Sequence, residues 1–96
     1  MEDTKMPLFV KQFEVTSKKN RPKLFEDTIQ YLLLDFGVEF SGTTKDVFTR
    51  WFTESDKFGV VEYFPKGNKV HIHKEGTSGY KDGGLRWLIH NLTHYT

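Results

Sequence analysis

The chain contains no cysteine, and that one absence removes disulfides, thiolate metal ligands and thiol nucleophiles together. Small secreted domains usually depend on disulfides, so an intracellular, cytoplasmic location is the expectation. Alanine is missing too, so any core must be assembled from larger side chains. Near the N-terminus the longest uninterrupted apolar run is Leu8 to Val10, too short for a signal peptide or a membrane span, and no membrane partner is expected. An excess of charge of one sign is also lacking. Fourteen basic residues face thirteen acidic ones, a formal net charge of +1, so a nucleic-acid surface has to come from local clustering.

What is present is aromatic bulk. Nine Phe, four Tyr and two Trp in 96 residues supply large buried areas to a chain with room for a single core. One domain over residues 1–96 is expected, with residues 1–7 a loosely held N-terminus. No internal repeat or low-complexity tract interrupts it.

Along the chain, LFVKQFEVT at residues 8–16 places Phe9, Phe13 and Val15 on one side of an extended segment, with Lys11 the exception, and predicts a strand. The polar, basic stretch from Ser17 to Lys23 leads into a helix with Pro22 in its first turn. Phe25, Ile29, Leu32, Leu33 and Phe36 form its apolar face and Gly37 its stop. Val38 to Gly42 stay unassigned, as a bridge or a strand stub. Thr43 or Thr44 is placed to cap a second helix carrying Val47, Phe48, Trp51 and Phe52 and ending near Ser55. The β-prone runs 58–64 and 69–74, joined by Pro65-Lys66-Gly67-Asn68, predict a hairpin. The stretch Gly76 to Gly84 holds too much glycine for regular structure, and Asp82 is the expected N-cap of a last helix with Leu85, Leu88, Ile89 and Leu92 at i, i+3, i+4 and i+7. The fold class is therefore α+β: a small antiparallel sheet, made of the N-terminal strand and the C-terminal hairpin, with about three helices in the order β-α-α-β-β-α. A winged helix is disfavoured, because only one helix fits between the first helix and the hairpin.

Three constellations carry possible chemistry. His71 and His73 at i, i+2 on a strand and His90 and His94 at i, i+4 on a helix are the candidate metal ligands. If the last helix packs on the Val70 and Ile72 face, however, His71 and His73 point to the other side of the sheet from it. No metal and no cofactor are therefore expected. Glu62 across the hairpin from His71 and His73 makes the candidate acid/base set for RNA hydrolysis, against the commoner alternative of an exposed cross-strand ion pair. Phosphate contacts are sought at Lys18, Lys19, Arg21 and Lys23 before the first helix, at Lys66 and Lys69 on the hairpin tip, and at Lys81 and Arg86 around the Gly-rich loop. The run from Lys18 to Lys23 is odd in placing positive charge at a helix N-terminus, where the macrodipole disfavours it.

Residues 66–92, with a His-bearing strand followed by Lys81-Asp82-Gly83-Gly84-Leu85-Arg86-Trp87-Leu88-Ile89, resemble the end of HicA-type RNA-cleaving toxins. That resemblance implies a double-stranded-RNA-binding-like fold and RNA contact. It covers less than a third of the chain, lacks one strand and the paired Gly-Ser/Thr-His-His of those toxins, and transfers no catalytic residue.

The expected function is a small non-enzymatic nucleic-acid-binding or regulatory domain. The alternative is a protein-binding inhibitor or adaptor, of a kind viruses encode, using aromatics that a domain this small cannot all bury: Trp51, Trp87, Phe58, Phe64, Tyr80 and Tyr95. A His-dependent hydrolase or nuclease built on His71, His73 and Glu62 ranks third. The expected partner is thus a nucleic acid or another protein.

Overall fold

The structure, a computed structural model, describes residues 6–43 and 50–93. Helix α1 (Leu8–Val15) occupies the segment expected to be a strand. Met6, Val10 and Phe13 stand at i, i+4 and i+7 and all are buried, a helical period that overrides the alternation of Phe9, Phe13 and Val15. Val15, which a strand would have turned inward, is 85% exposed.

Three consecutive pieces, Arg21–Leu24, Phe25–Ile29 and Gln30–Leu34, make helix α2, its middle piece wound as a π-helix. Pro22 lies in its first turn, Phe25, Ile29 and Leu33 are buried, and Gly37 (φ 88°) follows its end, as the apolar stripe and the glycine predict.

Strands β1 (Ser41–Thr43), β2 (Arg50–Ser55), β3 (Gly59–Phe64), β4 (Lys69–Ile72) and β5 (Tyr80–Asp82) form an antiparallel meander in sequence order. The second expected helix is corrected here. Its residues 44–49 lie outside those described, and Arg50–Ser55 is a strand paired on both sides. A helix would have kept Trp51 and Phe52 on one flank. The strand instead sends Trp51 into the core and Phe52 to the opposite face, where β1 and β3 both satisfy its backbone.

The β3–β4 hairpin forms as predicted, closed by the Asn68 amide donating to the Pro65 carbonyl with Asn68 at φ 52°. β4 ends at Ile72, so His73 opens a 3-10 segment, His73–Gly79, broken at Gly76. The Gly-rich stretch is more ordered than expected, because Tyr80–Asp82 pairs with β4. Helix α3 (Gly84–Leu92) then buries Leu85, Leu88 and Ile89 against the Val70 and Ile72 side.

The element order is thus α-α-β-β-β-β-β-α rather than β-α-α-β-β-α, while the α+β class holds. One cluster gathers Val10, Phe13, Phe25, Leu33, Trp51, Tyr63, Val70 and Leu88 between the helices and one face of the sheet. Strand alternation turns Arg50, Phe52, Glu62, Lys69, His71 and Tyr80 to the other face, where the 3-10 segment His73–Gly79 folds back against His71 and Glu62. No described helix is long and apolar enough to cross a membrane.

Candidate functional site on the open sheet face and the basic edge

Glu62 lies at the centre of the open face. It is only 4% exposed, and a carboxylate this deep needs partners. β3 and β4 put His71 directly opposite it in register, and the chain's turn into the 3-10 segment brings His73 over it. His73 Nε2 donates to Glu62 Oε1 at 2.9 Å, and Arg50 from β2 forms an ion pair with Oε2 at 3.4 Å. His71 Nε2 donates to the Gly76 carbonyl at 3.0 Å, which fixes the tautomer and leaves Nδ1 facing Oε1 at 3.9 Å. Glu62 Oε2 and His71 Nδ1 have no hydrogen-bond partner among the described residues.

Aromatic rings hold the cluster in place. Tyr80, opposite His71 on β5, stacks on its ring at 4.1 Å and 4°, and the His71 and His73 rings lie 4.6 Å apart. Tyr80 is itself 55% exposed. The structure therefore brings together Glu62, His71 and His73 from the sequence set. It separates them from His90, which is exposed on α3 in the helical layer, so no four-His site forms; His94 lies outside the described residues.

The basic residues fall into three groups. Arg21 and Arg86 are structural. Arg21 donates to the Phe13 carbonyl at 3.4 Å, the Glu14 carbonyl at 2.8 Å and the Lys66 carbonyl at 3.3 Å, and lies over the Phe13 ring. Arg86 grips the Glu14 carboxylate with two bonds of 2.6 and 2.9 Å. Lys23, Lys69 and Lys81 make exposed ion pairs with Asp27, Asp82 and Glu75 at 3.2, 3.8 and 3.4 Å. Exposed pairs are worth about 0–1 kcal/mol, so a phosphate can displace them. Lys18, Lys19 and Lys66 are exposed and make no ion pair among the described residues. The Arg21 bond to Lys66 sets the loop at 17–20 beside the hairpin turn, joining two basic elements that are far apart in sequence.

The Gly-rich loop offers no open anion site at the helix start. The Gly84 amide donates to the Asn68 carbonyl at 2.7 Å and the Leu85 amide to Asn68 Oδ1 at 2.9 Å. Asp82 is not the N-cap: it belongs to β5 and Gly83 takes that position, because the strand pairing claims Asp82 first.

Most of the aromatic surplus is absorbed. Trp51 is buried, Phe58 and Trp87 pack edge to face at 4.9 Å, Phe64 is half-buried, and Tyr95 lies outside the described residues. Arg50 and the Gly76 carbonyl were not singled out by sequence; Arg50 sat in a segment read as helix, and a carbonyl leaves no mark in composition. A shallow depression beside Phe52 is rimmed by Glu39 and Glu54, so the β1–β2 side of the open face is acidic where the β4 side is not. No family model, curated protein or solved structure matches the chain.

Proposed function

We propose that the chain is a non-enzymatic nucleic-acid-binding domain. It holds the phosphates of a single strand along the edge formed by loop 17–20 and turn 65–68, and stacks a base on the exposed ring of Tyr80. The observation that supports this reading is the bond from Arg21 to the Lys66 carbonyl, which joins the hairpin turn to the end of the loop carrying Lys18 and Lys19, three exposed lysines with no acidic partner among the described residues. From that edge, Lys69 and His71 continue along one face of β4 to Tyr80, whose second ring face is not taken by His71. Positive charge leading to a stacking aromatic suits single-stranded nucleic acid better than a duplex. The acidic rim at Glu39 and Glu54 would turn the strand away from β1 and β2.

Binding of a labelled single-stranded oligonucleotide, followed by anisotropy across a salt series, tests this. Replacing both Lys18 and Lys19 by Glu should lower the salt slope by about 1.4, two single-strand phosphate contacts' worth. Tyr80→Ala should weaken binding by about 1–3 kcal/mol at every salt concentration. Absence of binding at low salt, or a slope unchanged by the double substitution, overturns the reading.

A further inference from the structure

We propose that Glu62, His71 and His73 bind one divalent transition-metal ion of the zinc class on the sheet face opposite the helical layer. Two imidazole nitrogens and a carboxylate oxygen are a donor set that zinc takes, and all three ligand atoms lie within 4.8 Å of one another. Bond lengths of about 2.0–2.2 Å around a tetrahedron separate ligand atoms by roughly 3.3–3.6 Å. The observed distances from Glu62 Oε1, 2.9 Å to His73 Nε2 and 3.9 Å to His71 Nδ1, lie on either side of that value.

The local chemistry favours a cation at this point. With Nε2–H committed to the Gly76 carbonyl, neutral His71 carries its lone pair on Nδ1, which is buried, lacks a partner among the described residues and faces a carboxylate oxygen. Two electron pairs facing each other across 3.9 Å are complemented by a positive ion between them. A ring N–H held by a backbone carbonyl is also how metal-bound histidines are usually oriented. Arg50 sits against Oε2 and leaves Oε1 to the metal. Strand register fixes Glu62 against His71, and the Tyr80 stack restrains the His71 ring. Only His73 must adjust: its half-exposed ring exchanges the proton on Nε2 for one on Nδ1, so Nε2 is free to coordinate.

The test uses the full chain carrying no histidine tag, stripped with chelator. Titration with Zn2+ by calorimetry and with Co2+ by visible absorption should show one equivalent bound, with the intense ligand-field bands of a low-coordinate Co2+ site. His71→Gln, His73→Gln and Glu62→Gln should each weaken binding at least about tenfold, the loss expected even of residues that only support metal ligands. His90→Gln should change nothing. Glu62 is buried and its replacement puts the fold at risk, but His73 is half-exposed, so His73→Gln alone decides the matter. No saturable binding at millimolar Zn2+, or affinity unchanged in His73→Gln, overturns the proposal. Either result is independent of whether oligonucleotides bind.

Discussion

Asn68 does more than close a turn. Its Oδ1 accepts from both the Tyr63 hydroxyl at 2.8 Å and the Leu85 amide at 2.9 Å, and its carbonyl accepts from Gly84. One residue in the left-handed region thus ties the hairpin to the start of α3 and to the core. Asn68→Ala should cost about 2–4 kcal/mol in chemical denaturation, since it orphans buried donors and puts alanine, which tolerates the left-handed region less well than asparagine, at φ 52°. Asn68→Gly should recover about 1 kcal/mol of that, because it relieves only the strain. Tyr63 is fully buried, and burial raises its phenol well above the ordinary value of 10.0. The neutral form is therefore favoured in the fold, so its stabilising contribution is complete below pH 10 and falls above it, where the unfolded chain ionises first. Absorbance at 295 nm should show Tyr63 titrating only as the chain unfolds, and in Tyr63→Phe the alkaline loss of stability should be smaller.

At the level of elements, α1 depends on a residue outside it. Eight residues, uncapped by any side chain at the N-terminus, are too few for an independent helix. Arg21 supplies the missing partner by donating to the carbonyls of Phe13 and Glu14 at the negative end of α1. This accounts for Arg21 in the oddly placed basic run: its charge serves the end of the preceding helix rather than the start of its own. Arg21→Ala should destabilise by about 1.5–3 kcal/mol, as expected for hydrogen bonds to a charged group, and speed hydrogen exchange in α1 before α3. Arg21→Lys should not restore it, because an ammonium cannot reach separated carbonyls as a planar fork does. In the sheet, Gly42 of β1 lies so close to Trp51 that an added Cβ would overlap the indole ring, so Gly42→Ala should cost about 1–3 kcal/mol through overpacking.

Across the whole molecule, the Glu14–Arg86 pair joins the first helix to the last over a sequence separation of 72 residues. Both side chains are at most 30% exposed, so solvent screens the pair only in part. A double-mutant cycle on Glu14→Gln and Arg86→Gln should give a coupling of about 1 kcal/mol, most of it surviving high salt. Helices α1 to α3 on one face and a polar face on the other also divide the labour of the molecule. Substitutions on the helical face should alter stability, whereas those at the exposed Lys18, Lys19 and Tyr80 should alter binding with little change in melting temperature.

The sequence alone determined the elements whose signal is local. Helix α2, helix α3 and the β3–β4 hairpin follow from apolar periodicity and turn residues, and the hairpin alternation turns His71 away from α3, whereas His73, expected on the same strand, reaches Glu62 from the 3-10 segment. The Glu62–His71 pairing was legible for the same reason, since both belong to one hairpin. Tertiary structure decided the rest. Residues 8–15 and 50–55 fit either period over so short a span, and only burial of Met6, Val10 and Phe13 in one case and pairing with β1 and β3 in the other selects the outcome. β5 exists because β4 offers it an edge. The positions of Arg50 on Glu62 and Arg21 on Lys66 depend on contacts between segments apart in sequence, and that of Gly76 on His71 on the break in the 3-10 segment, none of which a local pattern encodes.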